Sequence, residues 1–155
     1  MRDAADIGTS IPHSFPFVML DRVVELIPGK SASAVKKITA GSSFTPASPL
    51  YPQVFLIEGM AQLAAVAAAP AASEVSAASA LSDNRAAKPE SGFLAAVTDA
   101  RFHKRPVSGD EIKYSVEFEA AAMGLARFKG RAEIDGELAA EGVFTFSIPR
   151  RVVHD

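Results

Sequence analysis

The chain has 155 residues, 48% hydrophobic and 22% charged, which fits one globular domain with a buried core and leaves little room for two. Its 16 Lys and Arg against 18 Asp and Glu give a formal charge of -2, which argues against a non-specific nucleic-acid binder. Without any cysteine, a disulfide framework, a thiolate metal site and a cysteine nucleophile are all excluded.

The opening residues, MRDAADIGTS, carry acidic side chains and no apolar run, so they do not read as a secretion signal. The most apolar stretch, 54–72, contains Glu58 and Gln62 and is interrupted by Pro70, so it is not a membrane span. The expectation is a soluble cytoplasmic protein with neither membrane nor nucleic acid as a partner.

The run FVMLDRVVEL (17–26) is apolar and β-branched, and Pro28-Gly29 closes it with a turn signal. SASAVKKITA (31–40) then alternates, so the two segments predict a hairpin joined at IPGK. Three prolines make 41–52 an irregular connection. From 53 to 69, QVFLIEGMAQLAAVAAA predicts a helix, with Pro52 at its first position and Pro70 as its stop. Nearly every face of it is apolar, which predicts burial on all sides. The exceptions, Glu58 and Gln62, are four residues apart and share one face.

Residues 71–91, rich in Ala and Ser, predict a mobile loop, with a short helix as the alternative for the stretch ASEVSAASAL. Strands are expected at 92–98, 111–120, 125–134 and 138–148, separated by turn signals at Ser108-Gly109-Asp110, Met123-Gly124 and Asp135-Gly136. Asp135-Gly136 is the strongest hairpin signal. One apolar helix and an antiparallel meander define an α+β domain in which the sheet wraps the helix, a single unit over 1–155 with its core at about 11–148.

Glu58 is the outstanding side chain, because a carboxylate in an apolar helix must be paired, protonated or functional. His13, in IPHSFPF ahead of the first strand, reads as a structural hydrogen-bonder. His103 lies in the basic run RFHKR (101–105) and reads as a solvated surface residue, while His154 is one residue from the end. No two histidines have metal-ligand spacing, and no nucleophile elbow, phosphate loop or dinucleotide fingerprint is present. Neither a metal nor a cofactor is expected.

Four segments in order, IPHSFPFVMLDRV (11–23), FLIEGMAQ (55–62), RPVSGD (105–110) and GLARFKGRAEIDGELAAEG (124–142), resemble the FabZ-type 3-hydroxyacyl-(acyl carrier protein) dehydratases. The likeness runs from about 11 to 148. It implies the hot-dog fold, an antiparallel sheet around one long central helix, and dimers whose sheets join edge to edge, often assembled into hexamers. It also implies an acyl thioester of acyl carrier protein or coenzyme A as ligand, bound in a tunnel at the dimer interface.

By this resemblance Glu58 matches the family's catalytic carboxylate, which holds the 3-hydroxyl or its water, and Gln62 matches the glutamine one turn on. The family's second catalytic group, a histidine in a Gly-His-Phe-Pro motif ahead of the helix, has no counterpart in SSFTPASPLYPQVF (42–55). Gln53 stands where the family has a glycine whose amide binds the thioester carbonyl, and its own N–H sits at a helix start that could polarise that carbonyl. Gln53, Gln62 and Tyr51 are the expected substrate-binding residues; Tyr51 and Ser48 are nearby hydroxyls, and His13 is the one histidine with a route to the site. Arg101, Lys104 and Arg105, with Arg127, Lys129 and Arg131, are expected to form a basic patch that steers an acidic carrier protein.

Three functions fit. One is a 3-hydroxyacyl-thioester dehydratase with reduced or altered machinery. Another is a thioesterase in which Glu58 activates water. The last is a non-catalytic acyl-thioester-binding subunit that pairs with an active homologue.

Overall fold

The computed structural model describes residues 2–3, 7, 10–41, 49–68 and 93–147; the expected loop at 71–91 lies outside them, as does Ser48. In chain order the elements are β1 (Arg2–Asp3), β2 (Arg22–Ile27), β3 (Ser31–Lys37), α1 (Val54–Ala68), β4 (Leu94–Phe102), β5 (Glu111–Ala122), β6 (Leu125–Ile134) and β7 (Glu137–Ser147). All strand pairs are antiparallel, in the order β1-β2-β3-β5-β6-β7-β4, and α1 lies across the sheet. The α+β hot-dog architecture is the one expected.

The long C-terminal strands owe their pairing to period-two alternation. β5 turns Ile112, Tyr114 and Val116 inward, and β6 turns Phe128, Ala132 and Ile134 inward, while the intervening Arg127, Lys129 and Arg131 face out. Tyr114 sits opposite Ala132 and Val116 opposite Gly130, so large side chains meet small ones across the ladder. Phe144 of β7 and Leu56, Met60, Leu63 and Ala64 of α1 complete the core.

Two glycines bring helix and sheet close together. A Cβ on Gly59 would fall 2.5 Å from Cζ of Tyr114, and one on Gly130 would fall 2.7 Å from Cε2 of Phe144 and 3.1 Å from Sδ of Met60. Neither position has room for alanine.

The strand boundaries shift from the expected ones for physical reasons. Residues 17–21 are not part of β2, because the main chain at Phe17 and Met19 bonds to a side chain of α1 instead of to a neighbouring strand. β4 runs on to Phe102 through a register shift between Thr98 and Arg101, where Asp99 adopts a φ of 53°. The 135–136 turn has both residues at positive φ, 55° and 79°, the pattern of a two-residue hairpin loop.

The helix is not buried on all sides within one chain, contrary to its composition. Ala61 and Ala64 are buried by the chain's own sheet, whereas Val54 is exposed and Phe55, Ile57, Glu58, Ala65 and Ala68 are half-covered. The sheet covers one side of α1 and leaves this stripe only partly covered. Strand β4, at the sheet edge, is exposed along its whole length, with Leu94, Val97 and Phe102 uncovered. Among the described residues no helix is long and apolar enough to cross a membrane.

Candidate functional site

Glu58 lies near the middle of α1, on the half-bare stripe, with its side chain 25% exposed. Its Oε1 accepts a hydrogen bond from Gln62 Nε2 at 2.9 Å. The i,i+4 spacing makes this possible, since residues one turn apart stand over each other. The same amide group donates to the Phe17 carbonyl at 2.9 Å, and Gln62 Oε1 accepts from Met19 N–H at 2.9 Å.

Gln62 is only 1% exposed, and both its amide hydrogens are committed. At this position, where a substrate contact was expected, the Gln62 amide holds Glu58 and pins the 17–19 segment to the helix.

That pinning controls what comes before it. Phe17 N–H bonds to the Ser14 carbonyl at 2.8 Å, closing a turn that brings His13 back over the helix. His13 Nε2 stands 3.4 Å from Glu58 Oε1. The imidazole packs on Phe17 with centroids 5.8 Å apart, Phe17 meets Phe55 edge-on at 6.1 Å, and Phe55 meets Tyr51 at 5.4 Å. A carboxylate, an imidazole and an aromatic wall therefore share one face of α1. From its sequence His13 reads as a structural hydrogen-bonder that also has a route to the site. Its only signal was the turn-rich IPHSFPF, because the contact with Glu58 forms across the whole first hairpin.

Tyr51 is buried, its hydroxyl donating to Met19 Sδ at 3.3 Å, and burial aided by Asp21 pushes its pKa up to about 12. This phenol keeps its proton near neutral pH, and its ring packs into the aromatic wall beside Phe55. Gln53 sits just before α1, its side chain donating to the Lys104 carbonyl at 3.4 Å and its own carbonyl capping Leu56 N–H at 2.9 Å. The main-chain N–H groups of Gln53 and Val54 have no acceptor among the described residues. They are the free donors that open any helix.

The expected basic patch divides. Lys104 bonds to Glu137 at 2.9 Å and lies 3.6 Å from Asp135, and the Glu137 bond holds its ammonium above the ordinary range. Lys129 and Arg127 both pair with Glu119, at 2.8 and 3.3 Å, and Arg131 lies 3.8 Å from Glu133. His103 contacts Glu141 at 3.2 Å. Of the six basic side chains, Arg101 and Arg105 alone have no ion pair among the described residues. The set is a charge-balanced outer face with two unpaired arginines at its β4 end.

An antiparallel sheet crossed by one helix that carries a glutamine-braced carboxylate is the hot-dog architecture. The comparisons with known proteins agree. Residues 5–153 match the family model described as ApeP-like, ApeP dehydratase, and the chain belongs to that family.

It is 32% identical over 147 residues to the 3-hydroxyacyl-(acyl-carrier-protein) dehydratase FabZ of Acetivibrio thermocellus, covering 92% of each chain. It is 38% identical over 136 residues to the FabZ of Sodalis glossinidius, covering 84% of this chain and 82% of that one. Among solved structures, the dehydratase heterocomplex ApeI:P from Xenorhabdus doucetiae superposes with a TM-score of 0.66 at 17% identity, covering 94% of this chain and 91% of that chain.

Proposed function

We propose that this chain acts on 3-hydroxyacyl thioesters carried by acyl carrier protein or coenzyme A, with Glu58 handling the 3-hydroxyl. The observation that carries this reading is the state of Glu58. Oε1 is held by Gln62, and Oε2 makes no hydrogen bond among the described residues while the side chain stays a quarter exposed. One oxygen is fixed and the other is free for a ligand.

Dehydration breaks the C2–H and C3–O bonds, forms the C2=C3 double bond and releases water. It needs a group that takes the C2 proton and another that gives one to the departing hydroxyl. Glu58 serves the hydroxyl. The free amides at the start of α1 suit the thioester oxygen, where negative charge develops as the C2 proton leaves. The aromatic wall of Phe17, Phe55 and Tyr51 and the bare aliphatic stripe suit an acyl chain.

A second reading, a subunit completed by another chain, is favoured by the bare stripe of α1 and the uncovered β4 edge. The ApeI:P structure is described as a heterocomplex, which gives that reading a precedent of the same fold. A tunnel closed by the partner would shield the reaction from water in either case.

The test is an assay of the chain with 3-hydroxyacyl and simple acyl thioesters, following enoyl absorbance and free thiol together. Enoyl formation from the hydroxy substrate supports the dehydratase. Thiol release alone would reassign the site to hydrolysis, and binding without turnover would leave a ligand-holding subunit.

A further inference from the structure

We propose that His13 is the second acid–base group of the Glu58 site, the base that takes the C2 proton. The proposal rests on the dehydratase reading above, and it supplies the group that 42–55 lacks.

Proximity is the first argument. His13 Nε2 is 3.4 Å from Glu58 Oε1, and the two side chains are 36% and 25% exposed, so both are within reach of a ligand on the bare face of α1. An ordinary hydrogen bond to this oxygen would span about 2.7–3.2 Å. Oε1 already has its close partner in Gln62 at 2.9 Å, so Nε2 stands beside the carboxylate without being consumed by it.

The state of the ring is the second. Nδ1 is buried and has no hydrogen-bond partner among the described residues. A purely structural histidine normally has one nitrogen fixed by a carbonyl or carboxylate, which sets its tautomer. Among the described residues nothing fixes it, so in the neutral ring Nε2, the nitrogen that faces Glu58, can carry the lone pair. The ring plane is nevertheless held, by Phe17 on one side and by the Ser14–Phe17 turn that Gln62 anchors.

The third argument is elimination within the molecule. The other histidine among the described residues, His103, pairs with Glu141 beside the edge strand. Tyr51 holds its proton to about pH 12 and is buried against Met19.

The proton accounting closes. Nε2 of His13 accepts the C2 proton, the C–H electron pair becomes the C2=C3 bond, and the C3–O bond breaks as Glu58 protonates the leaving hydroxyl to water. The site is then left with an imidazolium next to a carboxylate, and transfer of that proton from Nε2 to Glu58 restores both groups for the next turnover.

The experiment uses the full chain and 3-hydroxyacyl N-acetylcysteamine thioesters, reading enoyl formation and, in D2O, deuterium uptake at C2 by NMR. His13→Gln keeps a nitrogen donor for Glu58 but cannot carry the proton. It should lose ~10²-fold or more in both readouts with KM little changed. Glu58→Gln should lose elimination while C2 exchange continues. His13→Ala should regain activity with added imidazole, which a collapsed site would not, and thermal unfolding checks each fold.

Wild-type kcat in His13→Gln, or C2 exchange that survives in it, overturns the assignment and leaves the dehydratase reading standing. A wild-type chain that shows neither turnover nor exchange removes both.

Discussion

Gln62 holds Glu58 from one helical turn away, its Nε2 at 2.9 Å from Oε1, while the rest of its amide is spent on Phe17 and Met19. One buried side chain thus fixes the carboxylate and the strand-like segment that carries His13. Replacing it with leucine leaves two main-chain groups and Glu58 without their partner. Of these only Met19 N–H is fully buried, so at about 1–3 kcal/mol for an unmet buried group Gln62→Leu should lose roughly 1–3 kcal/mol in urea unfolding. Turnover should fall with it, and unchanged stability would show that water replaces the amide without cost.

The close approach of Gly59 to Tyr114 makes a second prediction. Gly59→Ala forces a methyl to 2.5 Å from Cζ of a phenol that the core has locked, with a cost of about 1–3 kcal/mol. The Tyr114 hydroxyl is itself buried with no hydrogen-bond partner among the described residues, and burial holds its pKa well above the ordinary value. Tyr114→Phe removes an unmet polar group and should be neutral or mildly stabilising in the same unfolding experiment. A marked loss would mean that the hydroxyl has a bridging water.

The turns were legible in the sequence because glycine and aspartate occupy positions whose φ is positive, as at Asp135-Gly136, and the strands because Arg127, Lys129 and Arg131 alternate with buried residues. Glu58 was legible because a lone carboxylate in an apolar helix needs a reason. His13 was less so. Its role depends on a turn held by a glutamine from a distant helix, and no local period records that. The split of the basic patch was hidden for a similar reason, since Glu119 and Glu137 reach their partners only through strand register. The expectation of a wholly buried helix failed because composition cannot say how much of the cover one chain supplies.

Uncovered backbone on β4 and the bare stripe of α1 predict self-association or association with a homologous chain. An edge strand of nine exposed residues, paired with β7 on one side only and showing Leu94, Val97 and Phe102 to solvent, is an invitation to pair on the other side. Light scattering should find a dimer or larger assembly at micromolar concentration, and Val97→Lys should weaken it by tenfold or more. A stable monomer would leave β4 without its expected partner.

Glu119 sets how much positive charge the outer face presents. Its hydrogen bond to Lys129, with Arg127 close by, holds its carboxyl below the ordinary range. Being depressed, it keeps its pairs above the usual carboxylate pKa and loses them only as pH falls through the lowered value. If the outer face meets an acidic carrier protein, Glu119→Gln frees two cations and should speed association at low salt, while Arg101→Glu with Arg105→Glu should slow it. Stopped-flow rates indifferent to all three changes would leave these charges as solvated surface.

Glu58→Gln is the change that separates an enzyme from a binder. Glutamine keeps the volume, and its Oε1 can still accept from Gln62 Nε2, so the local structure should survive and the unfolding midpoint should move little. What is lost is the proton carried at the free oxygen. A dehydratase should therefore fall by ~10²-fold or more in kcat with KM nearly constant, since the loss bears on the transition state and not on the bound substrate. A subunit that only holds the acyl thioester should keep its affinity within about threefold, because a neutral amide fills the same space beside Gln62 and His13. Calorimetric titration with a non-hydrolysable acyl thioester analogue, run beside the kinetic assay, distinguishes the two. Full turnover in Glu58→Gln would show that the chemistry lies elsewhere on the chain, and that the likeness to the dehydratases extends to the fold but not to this carboxylate.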